Sequence, residues 1–148
     1  MKDLLENRVL GENWLVPGLD HLNRAFFTTG KLMLQQCDAC GNIQHPPEDV
    51  CRKCQGFSLG HFQSAGTGRV ASVAVNHHPV HPGMKDVVPY AIVLVTVDDA
   101  PGILVVGNAV GAAPEDVRIG DAVRVVFERA HDTGNDVDLL IPQWDVVK

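Results

Sequence analysis

All four cysteines of the chain lie between residues 37 and 54, as two C-x2-C pairs separated by ten residues. Each pair can hold two thiolates on one side of a tight turn, and two facing pairs make a tetrahedral four-sulfur site, which suits Zn²⁺. The spacing therefore predicts one structural zinc ion bound by Cys37, Cys40, Cys51 and Cys54. Such a site has no open position for water, so it holds structure and does not catalyse. Iron is possible because four thiolates also accept it.

Two disulfides are the alternative, but paired C-x2-C motifs without a secretion signal are more typical of metal sites. Gly41 and Gly56 lie just past the second cysteine of each pair, where the backbone often needs a positive φ. A segment of this length buries too little surface to fold alone, so we expect the metal to hold it together.

Other residues that could do chemistry give weaker patterns. His77, His78 and His81 cluster in a loop stiffened by prolines, and loop structure or ligand contact is favoured over catalysis. The pair Asp98-Asp99 is typical of a solvated turn, and Gly66 to Gly68 of a bend that enters a strand. No nucleophile elbow and no phosphate-binding glycine motif is present. We therefore predict no catalytic residue, and the chain is not expected to be an enzyme alone.

Charge is distributed unevenly along the 148 residues. Residues 31–60 have no net charge, whereas residues 61–148 hold six Lys or Arg against eleven Asp or Glu. Single-stranded nucleic-acid binding, which zinc ribbons and OB-folds often carry out, needs a basic groove and aromatic platforms. The second region has only Phe62, Tyr90, Phe127 and Trp144 as aromatic residues. Nucleic-acid binding is thus kept as the alternative function and ranked second.

Neither a membrane span nor an export signal is predicted. No apolar run approaches the roughly 20 residues that a spanning helix needs. The N-terminus lacks a basic segment followed by an apolar one. Together with reduced cysteines, this indicates the cytoplasm.

A helix and a short strand are predicted before the first cysteine pair. Asp20 can cap a helix from about residue 21 to 29, which Gly30 ends. Residues 31–36 then read as a strand that has Leu32 and Leu34 on one face.

The second half of the chain contains five β-branched runs separated by turn residues, with one short helical turn near Pro114. The runs are 70–75, 88–97, 103–110, 122–128 and 137–141. In the fourth run, Val123, Val125 and Phe127 are expected on one face, and Arg124 and Glu128 on the other. Five short strands without long helices predict a closed barrel of the OB-fold type. The fold class is therefore mainly β, with an N-terminal helix and zinc ribbon followed by a five-stranded OB-fold barrel.

The order of motifs resembles a family that joins a rubredoxin-like zinc ribbon to an acyl-CoA-associated OB-fold, a group defined by a domain of unknown function. The matching features, in chain order, are Phe26 with Gly30-Lys31-Leu32, the first cysteine pair with Gly41, Pro46-Pro47, the second cysteine pair, residues 64–70, Val88-Pro89-Tyr90, residues 104–107, residues 114–120, and residues 123–125. The first nineteen residues match no part of the pattern, and residues 141–144 only loosely resemble the usual ending.

The resemblance implies a non-catalytic accessory subunit. Its partner would be a thiolase-superfamily enzyme, a lipid-transfer-type aldolase or a MaoC-like enoyl-CoA hydratase, whose acyl-CoA it would help to enclose. Because the nucleotide of acyl-CoA is phosphorylated, we expect Arg52, Lys53 and Arg69 to face it.

Apolar residues near both ends of the chain suggest the partner-binding surface, namely Trp14, Leu15 and Val16 in the tail and Trp144 near the C-terminus. Packing of the tail on its own domain is the equal alternative. The predicted division is 1–30 for tail and helix, 31–60 for the zinc ribbon and 61–148 for the barrel.

Overall fold

The computed structural model describes residues 4–6, 9–11, 14–130, 134 and 136–147. After a two-residue strand β1 (Leu4–Leu5), the first regular element is the helix α1 (Arg24–Thr28). It is shorter than the predicted helix because residues 21–23 form a turn. The Asp20 carboxylate caps this turn, accepting N–H groups two and three residues further on, each at 2.8 Å. Gly30 follows the helix with a φ of 67°, as expected for a terminating glycine.

The cysteine-rich segment is built on a three-stranded antiparallel sheet with the order β3-β2-β4. Its strands are β2 (Met33–Cys37), β3 (Ile43–Gln44) and β4 (Leu59–Gln63). Leu32 and Leu34 share one face and are both buried, as predicted. The strands β3 and β4 were not predicted, and β4 crosses the proposed boundary between ribbon and barrel. The three-part domain division stays a prediction.

The second sheet closes into a barrel. Its strands are β5 (Thr67–Asn76), β6 (Tyr90–Val97), β7 (Leu104–Val110), β8 (Ala122–Arg129) and β9 (Leu140–Val146). They follow the order β5-β6-β7-β9-β8, and β8 pairs again with β5. The pair β7–β9 is parallel and the other four pairs are antiparallel. This closed five-stranded barrel confirms the OB-fold and the mainly β class.

Two predictions about the last strand are wrong. The final strand runs over 140–146 instead of 137–141, because it pairs with both β8 and β7 to close the barrel. Trp144 thus points into the core, is 0% exposed and cannot contact a partner. On the neighbouring strand, Glu128 is also 0% exposed, because the N-terminal segment covers its face.

The N-terminal segment packs on the barrel, as one of the two alternatives proposed. β1 lies parallel to β8. Leu10 is buried against Ala130 and Leu139, and Trp14 packs at the edge of the same cluster. The Glu128 carboxylate accepts N–H groups from Val9 and Leu10 at 2.7–3.2 Å.

One hydrophobic core joins the ribbon sheet to the barrel. Phe26, Leu32 and Leu34 belong to the same buried cluster as barrel residues such as Val93 and Trp144. Within the described part of the chain, no helix has the length and apolarity to span a membrane.

Candidate metal centre and binding surfaces

The four cysteine sulfurs converge at one point. All four Sγ atoms lie within 4.8 Å of one another. The closest pairs, Cys37 with Cys54 and Cys40 with Cys51, are 3.6 Å apart. A tetrahedral zinc ion with Zn–S bonds of about 2.3 Å requires sulfurs about 3.8 Å apart. The cluster therefore fits one four-coordinate zinc ion, and the predicted ligand set comes together in full.

The neighbouring thiols shift one another's pKa values, and a bound cation would allow all four to ionise. The backbone N–H of Cys54 lowers the pKa of Cys51 to about 6, although burial opposes this. The backbone N–H of Gly56 also favours the Cys54 thiolate, but the sulfurs of Cys37 and Cys40 outweigh it and raise the pKa of Cys54 to about 11. Four thiolates can ionise together only beside a positive ion, which is the state that zinc ligands adopt.

The two turns that carry the cysteines differ in how they use glycine. Gly41 has a φ of 77°, as predicted. In the second turn the positive φ of 61° falls on Gln55 instead of Gly56. Gly56 has a different role, since a Cβ there would make a tight contact with the Cys54 sulfur at 3.2 Å.

Buried glutamines support the metal site from behind. The Gln44 side-chain amide donates to the Gln35 side-chain oxygen at 2.7 Å and to the Val50 carbonyl at 3.1 Å. Gln35 exchanges two hydrogen bonds with the backbone of Glu48, at 2.8 and 2.9 Å. Gln44 Oε1 also accepts the Arg52 backbone N–H at 2.9 Å. These bonds fix the loop between the cysteine pairs, and sequence reasoning missed them.

Two of the three predicted ligand-binding cations lie together. Arg52 and Lys53 line a cleft of about 310 Å³ that runs between the ribbon and barrel residues Gly102 and Ile103. Arg52 forms a 2.8 Å ion pair with Glu48. Arg69 is absent from that lining and lies on strand β5, where its guanidinium donates to the Gly120 carbonyl at 3.1 Å.

His45 lies at the same cleft and packs on Phe26, with ring centroids 4.9 Å apart. Burial, and then the charge of Arg52, lower the pKa of His45. Its Nδ1 atom is buried and has no hydrogen-bond partner among the described residues. The neutral ring thus serves as packing surface between helix and ribbon.

In the histidine loop, His81 has a structural role. His77 and His78 are exposed, and His81 Nδ1 accepts the Gly83 N–H at 3.0 Å, which caps the turn Pro82–Met84. The only group of three or more metal-binding side chains among the described residues is the cysteine cluster.

Asp99 binds the segment that follows β4 and is not simply solvated. Its carboxylate accepts the Ser64 hydroxyl at 2.7 Å and the Ala65 N–H at 2.8 Å. Desolvation disfavours the charged form, but these two hydrogen bonds outweigh it and lower the pKa of Asp99.

The barrel offers poor stacking platforms for nucleic acid. Tyr90, Phe127 and Trp144 are buried, and Phe62 is half-buried. Base stacking needs exposed rings beside a basic groove. The aromatic residues of the barrel therefore give no support to nucleic-acid binding.

The predicted partner-binding residues in the tail differ in accessibility. Leu15 is exposed, whereas Trp14 and Val16 are half-buried. The Trp14 ring meets Tyr90 edge-on at 5.3 Å. Trp14 therefore forms part of a surface that belongs to the barrel.

Two family models match most of this architecture. The ChsH2 rubredoxin-like zinc ribbon domain matches residues 26–60, and the ChsH2 C-terminal OB-fold domain matches residues 62–128. The solved "Ltp2-ChsH2(DUF35) aldolase" contains a chain that superposes with a TM-score of 0.71 at 31% identity. That match covers 88% of this chain and 98% of the solved one.

Two curated relatives are also similar to this chain in sequence. A DUF35 domain-containing scaffold protein of Methanothermobacter thermautotrophicus is 30% identical over 117 residues, which are 78% of this chain and 83% of that protein. A probable enoyl-CoA hydratase alpha subunit of Thermomonospora curvata is 37% identical over 107 residues, 70% of this chain. The match spans only 32% of the hydratase subunit, so this chain corresponds to about a third of its length.

Proposed function

This chain belongs to the DUF35 family, and from that premise we propose that it is a non-catalytic accessory subunit that binds and stabilises an acyl-CoA-processing enzyme. One observation carries the proposal: the chain is similar, over nearly its whole length, to a DUF35 chain solved within an aldolase named for two components. The scaffold name of a second relative supports the same role.

Relatives named as part of an aldolase and as hydratase alpha subunits support a partner of the aldolase or hydratase kind. The finer choice of partner is our proposal. An aldolase of lipid-transfer type, another thiolase-superfamily enzyme or a MaoC-like hydratase would supply the catalytic residues. The zinc site contributes a rigid ribbon, since a closed four-thiolate site leaves no position for substrate. Reduced thiolates of this kind suit a reducing compartment such as the cytoplasm.

We expect acyl-CoA to be shared between the two subunits. Its phosphates require cations, and the cleft at Arg52 and Lys53 offers two beside polar groups of the ribbon. Arg69 lies on barrel strand β5, outside this cleft, and would contact a nucleotide only if the nucleotide were bound elsewhere. The cleft is therefore the favoured position, and Arg69 is the secondary one.

Co-expression tests the accessory role. The chain is produced together with the thiolase-like, aldolase or hydratase enzyme encoded beside it, and the mixture is passed over a sizing column. We expect a soluble complex whose acyl-CoA turnover exceeds that of the enzyme alone, while the DUF35 chain alone shows none. Separate elution together with an unchanged rate would contradict the proposal.

Calorimetry on that complex tests the cations. Replacing Lys53 or Arg52 with alanine should weaken acyl-CoA binding roughly three- to tenfold, the scale of one lost charge-assisted contact near the surface. Lys85→Ala is the matched control, since Lys85 is exposed and lies outside the cleft. Arg69→Ala measures the secondary position. Equal affinity for all three variants and the wild type would remove acyl-CoA contact from this subunit.

A further inference from the structure

The outer face of strands β6 and β7 is apolar and carries no charge. Its exposed large side chains are Ile92, Leu94, Leu104 and Val106, between 37% and 56% exposed. Strand pairing sets Leu94 opposite Val106, and Thr96 opposite Leu104. An outer barrel strand in water usually alternates with charged residues, as β8 does at Arg124. Four adjacent aliphatic side chains thus form one continuous patch.

This patch runs into an aromatic groove of about 390 Å³. Ile92 and Val106 belong to both surfaces. The groove walls contain four of the eight aromatic residues of the chain, Trp14, Phe26, Phe27 and Tyr90. Its polar residues are already engaged, since Asn108 donates its side-chain amide to the Ala91 carbonyl at 3.3 Å and its backbone N–H to Gln143 at 2.8 Å. We call patch and groove together the β6–β7 face.

Such a surface is typical of the core of a protein interface. Charged residues are depleted there, and aromatic residues line the pockets that receive anchoring side chains. Contiguous exposed apolar patches on a soluble domain commonly mark binding sites.

The charge of the molecule favours a different protein over a second copy. The chain has a formal net charge of −6, so two copies placed face to face would repel each other. A partner with a neutral or basic surface around an apolar ridge would not meet this repulsion.

Building on the accessory role proposed above, we propose that the β6–β7 face is the surface on which the partner enzyme docks. The partner presents aliphatic side chains to the strand patch and at least one aromatic or branched side chain to the groove. Basic or neutral groups surround this contact on the partner. The buried area reaches at least about 1,000 Å² in total, the size that a stable interface needs.

Charge insertion tests the surface. Leu94→Lys and Val106→Lys each place an ammonium group in the patch, and both positions are exposed enough to accept it without entering the core. Ile119→Lys is the matched control, because Ile119 is a large apolar residue 70% exposed on the turn before β8. Zinc content and circular dichroism confirm that each variant is folded.

Binding to the enzyme encoded beside this chain is then measured by biolayer interferometry. We expect both patch variants to weaken binding at least tenfold and the control to stay within twofold of the wild type. If both patch variants bind as tightly as the wild type, the proposed docking surface is wrong, but the accessory role is not affected. Failure of the wild type to bind would overturn the accessory role and the surface with it. A wild-type homodimer that Val106→Lys converts to a monomer would assign the face to a second copy and also overturn the proposal.

Discussion

Glu128 illustrates at the residue scale what the sequence can and cannot predict. Its strand alternates, so the pattern identifies the face on which the carboxylate stands. The pattern does not reveal that a segment 119 residues earlier covers that face. There the carboxylate accepts the N–H groups of Val9 and Leu10 and the side-chain amide of Gln143. A partner so distant in sequence leaves no local signal.

Glu128→Gln should destabilise the protein by about 1.5–3 kcal/mol, since a buried donor loses a charged acceptor. The amide oxygen can still accept, but the amide nitrogen turns a second donor toward the N–H groups of the segment. Urea unfolding gives the free energy, and faster amide exchange at Val9 and Leu10 locates the defect. Glu115→Gln is the control, because Glu115 is exposed on the turn between β7 and β8. Equal unfolding midpoints for wild type and both variants would show that the carboxylate is not needed to hold the segment.

At the element scale, the barrel strands were predictable because β-branched runs and turn residues mark them locally. Four of the five predicted runs overlap strands β5 to β8 almost fully, whereas β9 begins three residues later than expected. The missed elements are β1, β3 and β4. Of these, β1 and β3 are each two residues long and exist only through their pairing partners. Their sequences carry no strand pattern of their own.

In the ribbon, too, some features could be predicted from local sequence and others could not. The cysteine spacing predicted all four sulfurs of the metal site, because ligand chemistry demands that spacing. The supporting pair Gln35 and Gln44 could not be predicted. A glutamine in a strand reads as an exposed residue, and only the folded loop supplies the carbonyl and N–H groups that allow its burial.

At the scale of the whole molecule, ribbon and barrel are two sequence modules with one core. Leu32 and Leu34 are fully buried and pack in the cluster that contains Trp144. We therefore expect a zinc ion bound by the ribbon turns to stabilise one wall of the barrel core as well. This coupling was not predicted, since each module carries its own complete motif.

Removing zinc should consequently unfold more than the ribbon. In a Trp14→Phe variant, Trp144 is the sole tryptophan and reports on the barrel core, where it is 0% exposed. Titration with a chelator at neutral pH should shift its emission to the red in one cooperative step, and added zinc should restore it. Structural zinc binding contributes about 10–16 kcal/mol in small modules, comparable to or greater than the stability of a domain of this size. Chelator already saturated with zinc is the control and should have no effect. If zinc leaves while Trp144 emission and the amide protection of β6 stay unchanged, the barrel is stable by itself and the shared core does not couple the two modules.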